Sequence, residues 1–188
     1  MTLQTHASRQ AGRARTAVVL VLALGALLTM AAAPLVLAKD SSAVAAAKAA
    51  TVRFHSLEQA RMAGYGAFYI CTDNEALDAA MGQHYADPTR IDDQILDVTN
   101  PEVLVYEPKH NGYDLVAVEY VQLAASWDAN HASPPQLFGR TLAKIPAGNR
   151  YGLPEFYEIH AWLYRSNPRG MFDDWNPNVS CKGNGDPA

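Results

Sequence analysis

Two β-rich runs, Glu102–Glu107 (EVLVYE) and Tyr113–Leu123 (YDLVAVEYVQL), flank Pro108-Lys109-His110-Asn111-Gly112. This arrangement constrains the fold more than any other part of the chain. β-Branched and aromatic residues favour extended backbone, and a short segment holding Pro, Asn and Gly is hairpin-loop chemistry. With Glu107 opposite Tyr113, the residues Val103, Val105, Glu107, Tyr113, Leu115, Ala117, Glu119 and Val121 share one face. That face is apolar apart from its glutamates. Glu107 falls at the turn, within reach of water. Glu119 falls in mid-strand between Ala117 and Val121, where an unpaired carboxylate is costly and needs a cation, a metal or several donors. In a regular hairpin the two acids lie about 20 Å apart along the strand and cannot share a site.

Downstream, the pattern predicts a loop through Trp127–Pro135, a short strand near Gln136–Leu142 and a loop over Ile145–Pro154. A last long strand, Phe156–Arg165 (FYEIHAWLYR), is closed by Asn167-Pro168-Arg169-Gly170. On it Phe156, Glu158, His160, Trp162 and Tyr164 share a face, and Tyr157, Ile159, Ala161 and Leu163 point the other way. Upstream, Ser56 and Gln59 stand at capping-box spacing ahead of Gly64, a natural helix stop, and Phe54, Leu57 and Ala60 supply an apolar side. The expected architecture is α+β: an antiparallel sheet, open or barrel-like, with an N-terminal helix packed against it. At 188 residues the chain suits one such domain.

The N-terminal 38 residues read differently. Arg9, Arg13 and Arg15 precede Ala17–Ala38, an almost wholly apolar run ending in Val36-Leu37-Ala38 before Lys39. A basic region, an apolar stretch and a small residue before polar sequence make a secretory signal, with cleavage expected after Ala38. The competing reading is an uncleaved membrane anchor, since about 20 apolar residues can just span a bilayer. Residues 39–55 are then an Ala-rich linker or helix, 56–181 the α+β domain and 182–188 a flexible tail. Without the first 38 residues the chain holds 12 basic and 19 acidic groups, a formal charge of -7. Such a domain repels phosphate backbones, which argues against nucleic acid as a partner. Cys71 and Cys181 are the only cysteines, and an oxidising compartment would pair them across 110 residues.

Nucleotide and protease signatures are missing: there is no P-loop, dinucleotide glycine fingerprint, GxSxG, HExxH or zinc-type Cys/His spacing. What remains is polar residues at awkward places in strands. His84 follows Gly82, where backbone can pass close to a site; Glu119 and His160 lie on apolar faces, with Glu158 two residues from His160. His84, Glu119 and His160 are the candidate ligands for a divalent transition metal, because zinc, iron and manganese take imidazole and carboxylate. The same groups could act as acid and base around a bound molecule, or form a buried His–Glu hydrogen bond that only holds sheet to loop. Asp174, Asn176 and Asn178 alternate like the start of a calcium loop, but Val179 stands where Gly is needed, so they read as turn caps around Pro177.

Several segments together resemble a group of exported bacterial proteins to which no activity is assigned. They are MGxHY (Met81–Tyr85), LVYEP (Leu104–Pro108), LVAVEY (Leu115–Tyr120), LFGR (Leu137–Arg140), YEIHAW (Tyr157–Trp162) and NPRGMFDDWNPNVSC (Asn167–Cys181). The resemblance covers about Val52–Cys181 and implies secretion and a shared scaffold, not a reaction. The segment between Cys71 and Met81 departs from it by being longer. Three functions therefore stand open. One is an exported metal-binding protein using His84, Glu119 and His160. A second is a metal-free small-ligand module with Trp162, Tyr164, Phe156 and Tyr120 around an apolar pocket. The third is a disulfide-stapled envelope protein that binds another protein.

Overall fold

A computed structural model of the chain describes residues 33–91 and 93–183, with side chains from Ser41 onward. The basic residues and most of the apolar run of the expected export signal lie outside the described residues, as do residues 184–188 of the expected tail. Residues from Lys39 belong to one compact unit. In chain order its elements are helix α1 (Ala33–Thr51), a single 3₁₀ turn (Val52–His55), helix α2 (Leu57–Met62), strands β1 (Gly66–Asn74) and β2 (Ala79–Ala86), then β3 (Val103–Pro108) and β4 (Tyr113–Leu123). Helix α3 (Ala124–Asn130) leads to the short strands β5 (Gln136–Leu137), β6 (Arg140–Thr141) and β7 (Ala143–Ile145), and β8 (Phe156–Ala161) is the last. Six strands form one antiparallel sheet in the order β1-β2-β3-β4-β8-β7, curled into a half-barrel, while β5 and β6 make a separate two-strand turn. No helix among the described residues is long and apolar enough to cross a membrane.

The Ala-rich segment expected as linker or helix is helical through Thr51 and does not run on into α2. Ser56 interrupts it: its side chain accepts the Gln59 N–H and caps α2, and Gly64 at φ 102° ends the turn that follows. Small residues one turn apart, Ala43, Ala47 and Thr51, let α1 lie close against the sheet. Phe54, Ala60 and Tyr65 complete that layer over Leu104, Tyr106, Val118 and Tyr120. Buried tyrosine hydroxyls need acceptors. Tyr106 donates to Phe54 O and Tyr120 to Val98 O, tying the sheet to flanking segments, and Tyr65 to Pro101 O, joining the segments that lead into β1 and β3.

The expected hairpin forms, with one change that reverses part of its face. Val105 pairs with Ala117 but Tyr106 pairs with Leu115, so Val116 is an extra residue on β4, a β-bulge. Beyond the bulge the alternation flips. Leu115 and Tyr113 join the helix-side layer, while Val116 and Ala117 both face inward with Val103, Val105 and Val121. The unpaired Val116 carbonyl accepts the N–H of Tyr164, where the chain leaves β8. That strand stops at Ala161, earlier than expected, because the Trp162 N–H pairs instead with Met171 O. Tyr164 therefore turns away from the His160 face and donates to Lys48 O on the helix side.

The concave face is covered by the 146–154 loop and by the C-terminal segment. Asn176 pairs with Ala80 through the backbone, and Cys181 is bonded to Cys71 at a Cα–Cα distance of 5.7 Å. Glu107 is not open to water as its place at the turn suggested. It is 6% exposed, accepts the Ser180 N–H and pairs with Arg165 and Lys109, fastening the C-terminal segment to β3.

Glu102, just ahead of β3, is 1% exposed and accepts the Val121 N–H at 3.1 Å. Burial pushes its carboxyl up to about 8, against the ordinary 4.5. The folded state thus keeps a proton that the unfolded chain gives up above its own pKa, so this group's contribution is fully present below about pH 4.5 and is lost as pH rises toward 8. Glu102→Gln is expected to gain a few kcal/mol on the wild type between pH 5 and pH 8 in urea unfolding. Parallel pH profiles would contradict it.

Candidate metal centre

His84 comes from β2, Glu119 from β4, and His160 and Glu158 from β8. Val103, Glu119 and His160 sit in one cross-strand row, while His84 pairs with Val105 in the next row. In a flat sheet β2 and β4 would lie about 10 Å apart with β3 between them. Here β3 places Val103 and Val105 between them, and the curl tips the flanking side chains together above these valines. Gly82 makes the close strand approach possible. At φ 115°, a Cβ there would stand 2.7 Å from the Tyr106 carbonyl oxygen, so the backbones of β2 and β3 touch where a side chain would hold them apart.

His84 Nε2 lies 3.6 Å from one Glu119 oxygen and His160 Nδ1 lies 3.7 Å from the other. The imidazoles meet edge to face at 5.7 Å between centroids, and one ligand atom from each of the three residues falls within 4.8 Å of the others. All three are buried; His160 is 0% exposed. The separations exceed hydrogen-bond length, so the carboxylate does not satisfy the rings. Among the described residues, four buried side-chain nitrogen or oxygen atoms have no hydrogen-bond partner, and three of them are His84 Nδ1, His160 Nδ1 and His160 Nε2. Natural interiors leave few polar atoms in that state. Their concentration here argues against a simple His–Glu hydrogen bond that ties sheet to loop.

Burial sets the protonation of the cluster. It lowers His84 to about 4, partly offset by an approach to the Gly82 backbone that falls short of hydrogen-bond geometry, and holds His160 well below the ordinary imidazole range, with His84 adding to the effect. Both rings are therefore neutral at pH 7, the form that ligates metal. Burial likewise raises Glu119 well above the carboxylate range, reinforced by the charge and hydrogen bonding of neighbouring Glu158. Glu158 itself is pushed up to about 7, and Asp174 is also raised by burial. Without a cation, desolvation and like charge favour the protonated form of these acids.

The surroundings are aromatic. Trp162 stacks beside His160 at 5.7 Å, as its shared strand face suggested, and Tyr151 packs edge-on to His84. A cavity of about 60 Å³ opens beside His84 and Glu119, walled by Tyr151 and by apolar side chains including Phe68, Val121 and Phe156. Of the four aromatics expected around a pocket, Phe156 lines it. Tyr120 and Tyr164 pack in the helix-side layer instead, because Tyr120 alternates with Glu119 and Tyr164 lies past the end of β8. Tyr151 and Phe68 went unnoticed in the sequence: one sits in a Gly/Pro-containing loop, the other in a strand without clear alternation. Asp174, Asn176 and Asn178 do not gather as a calcium loop. Asn176 accepts the Asn178 N–H and donates to Ser166 O, the turn-capping role expected of it.

No protein-family model matches this chain, and no characterised protein or solved structure is significantly similar to it.

Proposed function

We propose that the protein is exported and binds a divalent transition metal through His84, Glu119 and His160. The observation that carries this reading is that one ligand atom from each of two buried imidazoles and a buried carboxylate lie within 4.8 Å of one another, on rings that hold three nitrogens without a hydrogen-bond partner. Ligands about 2.1 Å from a shared ion stand about 3.4 Å apart at tetrahedral angles, so the His–Glu pairs need to close by only a few tenths of an ångström and the two imidazoles by about 1 Å to complete a shell. Two imidazoles and one carboxylate suit zinc, iron or manganese and leave at least one coordination position free. A bound cation would also let Glu119 give up its proton, reversing the cost of burying it. Trp162, stacked on His160, fixes that ring's orientation.

Export rests on Arg9, Arg13 and Arg15 before the apolar run to Ala38 and agrees with the Cys71–Cys181 bridge, which fits an oxidising environment. We take cleavage to follow Ala38.

Protein expressed with its leader and without a histidine tag is expected to begin at Lys39 by mass. It should hold about one zinc, iron or manganese ion per chain by elemental analysis after reconstitution. His160→Ala should lose most of that metal while keeping the wild-type circular dichroism. Wild-type protein that takes up none of the three ions, or a folded His160→Ala variant with undiminished content, would overturn the reading. The cavity beside His84 favours a second reading, a metal-free small-ligand module. That one predicts a copurifying organic molecule and no metal.

A further inference from the structure

We propose that the apolar cavity beside the triad is the pocket in which the metal receives a small neutral ligand, of the size of dioxygen or nitric oxide. The inference rests on the metal reading and goes further by naming the class of molecule that the free coordination position admits.

Three observations point the same way. First, His84 and Glu119 form part of the cavity wall while His160 does not, so the ligand atoms do not surround the ion on the cavity side. A molecule reaching an ion held by these residues would therefore enter from the cavity. Second, apart from these two and Tyr151, the lining is apolar: Phe68, Ile91, Val103, Val121, Leu153 and Phe156 are among it. Water needs two to four polar partners to be held in such a space, and an anion would lose its hydration with nothing to replace it. A weakly hydrated neutral molecule loses least on entry. Third, at about 60 Å³ the space takes roughly two waters' volume, or a molecule of a few non-hydrogen atoms. Sugars, amino acids and phosphate esters are too large and too polar. Of the lining, Phe68, Ile91, Tyr151 and Leu153 are only partly buried, so the rim is drawn among these four.

The test is coordination of nitric oxide to the iron(II)-loaded, untagged protein under anaerobic conditions, read by electron paramagnetic resonance. Loaded iron should convert largely to the half-integer-spin iron–nitrosyl species. Leu153→Trp and, independently, Ile91→Trp place bulk at the rim on partly exposed positions, so the fold should survive. Each should abolish most of the nitrosyl signal with iron content unchanged. Azide, a linear triatomic anion, should not displace nitric oxide at equal concentration. Iron that binds but forms no nitrosyl in the wild type overturns this inference and leaves the metal reading standing. A signal undiminished in both tryptophan variants, or ready displacement by azide, also overturns it. Failure to load any metal overturns both together.

Discussion

Serine at both Cys71 and Cys181 is expected to lower the free energy of unfolding by about 4–5 kcal/mol, a large share of the stability of a domain this size. The bridge spans 110 residues. Closing so long a loop in the unfolded chain removes conformational entropy that no native contact has to supply, and the effect grows with the logarithm of loop length. The location matters as much as the length. β1 is the outermost strand, much of it exposed, and its pairing with β2 is broken by register shifts between Phe68 and Asp73. The C-terminal segment that it meets has little regular structure. It is held by the Ala80–Asn176 backbone pair, the Ser180 N–H to Glu107, and the disulfide. Without the bridge these two pieces should be the first to open. Urea unfolding of the double-serine variant should show the full loss. Hydrogen exchange under native conditions should rise first in residues 66–74 and 171–181 and much less in β3, β4 and β8. A loss below about 1 kcal/mol, or uniform exchange across the sheet, would refute the assignment of the bridge as the staple of this edge.

The centre of the sheet was legible because its sequence is locally consistent. EVLVYE and YDLVAVEYVQL carry strand propensity, alternation and turn chemistry that agree, and the β3–β4 hairpin forms where they place it. What could not be read was the bulge at Val116. It depends on the partner strand and on the Tyr164 N–H arriving from another part of the chain, so alternation counted along β4 put Tyr113 and Leu115 on the wrong face. β1 and β2 were missed for a related reason. Ala79-Ala80-Met81-Gly82 has little intrinsic strand preference and is held extended by neighbours on both sides, a case of tertiary context overriding propensity. The same limit applies to Tyr151, whose loop gives no local sign that it closes over His84.

The site was visible in outline. Glu119 announced itself as an acid on an oily strand, and His160 as its cross-strand neighbour once β8 was placed. That His84 meets them is a consequence of sheet curl, which no local pattern encodes. Glu107 shows the converse. Position at a turn suggested exposure, and only the distant Arg165 and Ser180 reveal it as a buried anchor.

Glu119→Gln should stabilise the metal-free protein at pH 7.5 and reverse that ranking once metal is added. In the folded, metal-free state burial and the nearby Glu158 keep the Glu119 carboxyl protonated well above its ordinary range. The unfolded chain releases that proton above pH 4.5, so this group's contribution to stability falls as pH rises. Glutamine matches the volume and the hydrogen-bonding capacity of the protonated acid and has no proton to lose. The gain should therefore shrink toward zero near pH 4, where both states of the wild type are protonated. Metal changes the comparison: an ion at 1,000 times its dissociation constant stabilises the wild type by about 4 kcal/mol, while the variant, lacking an anionic ligand, gains little. The wild type would thus melt below Glu119→Gln in chelator and above it in metal. A purely structural His–Glu contact predicts the opposite in chelator, with the substitution destabilising at every pH because it weakens the contact and nothing offsets the loss. Crossing melting curves identify a carboxylate retained for a cation at the expense of the empty fold, and a uniformly weaker variant would remove the metal reading at its centre.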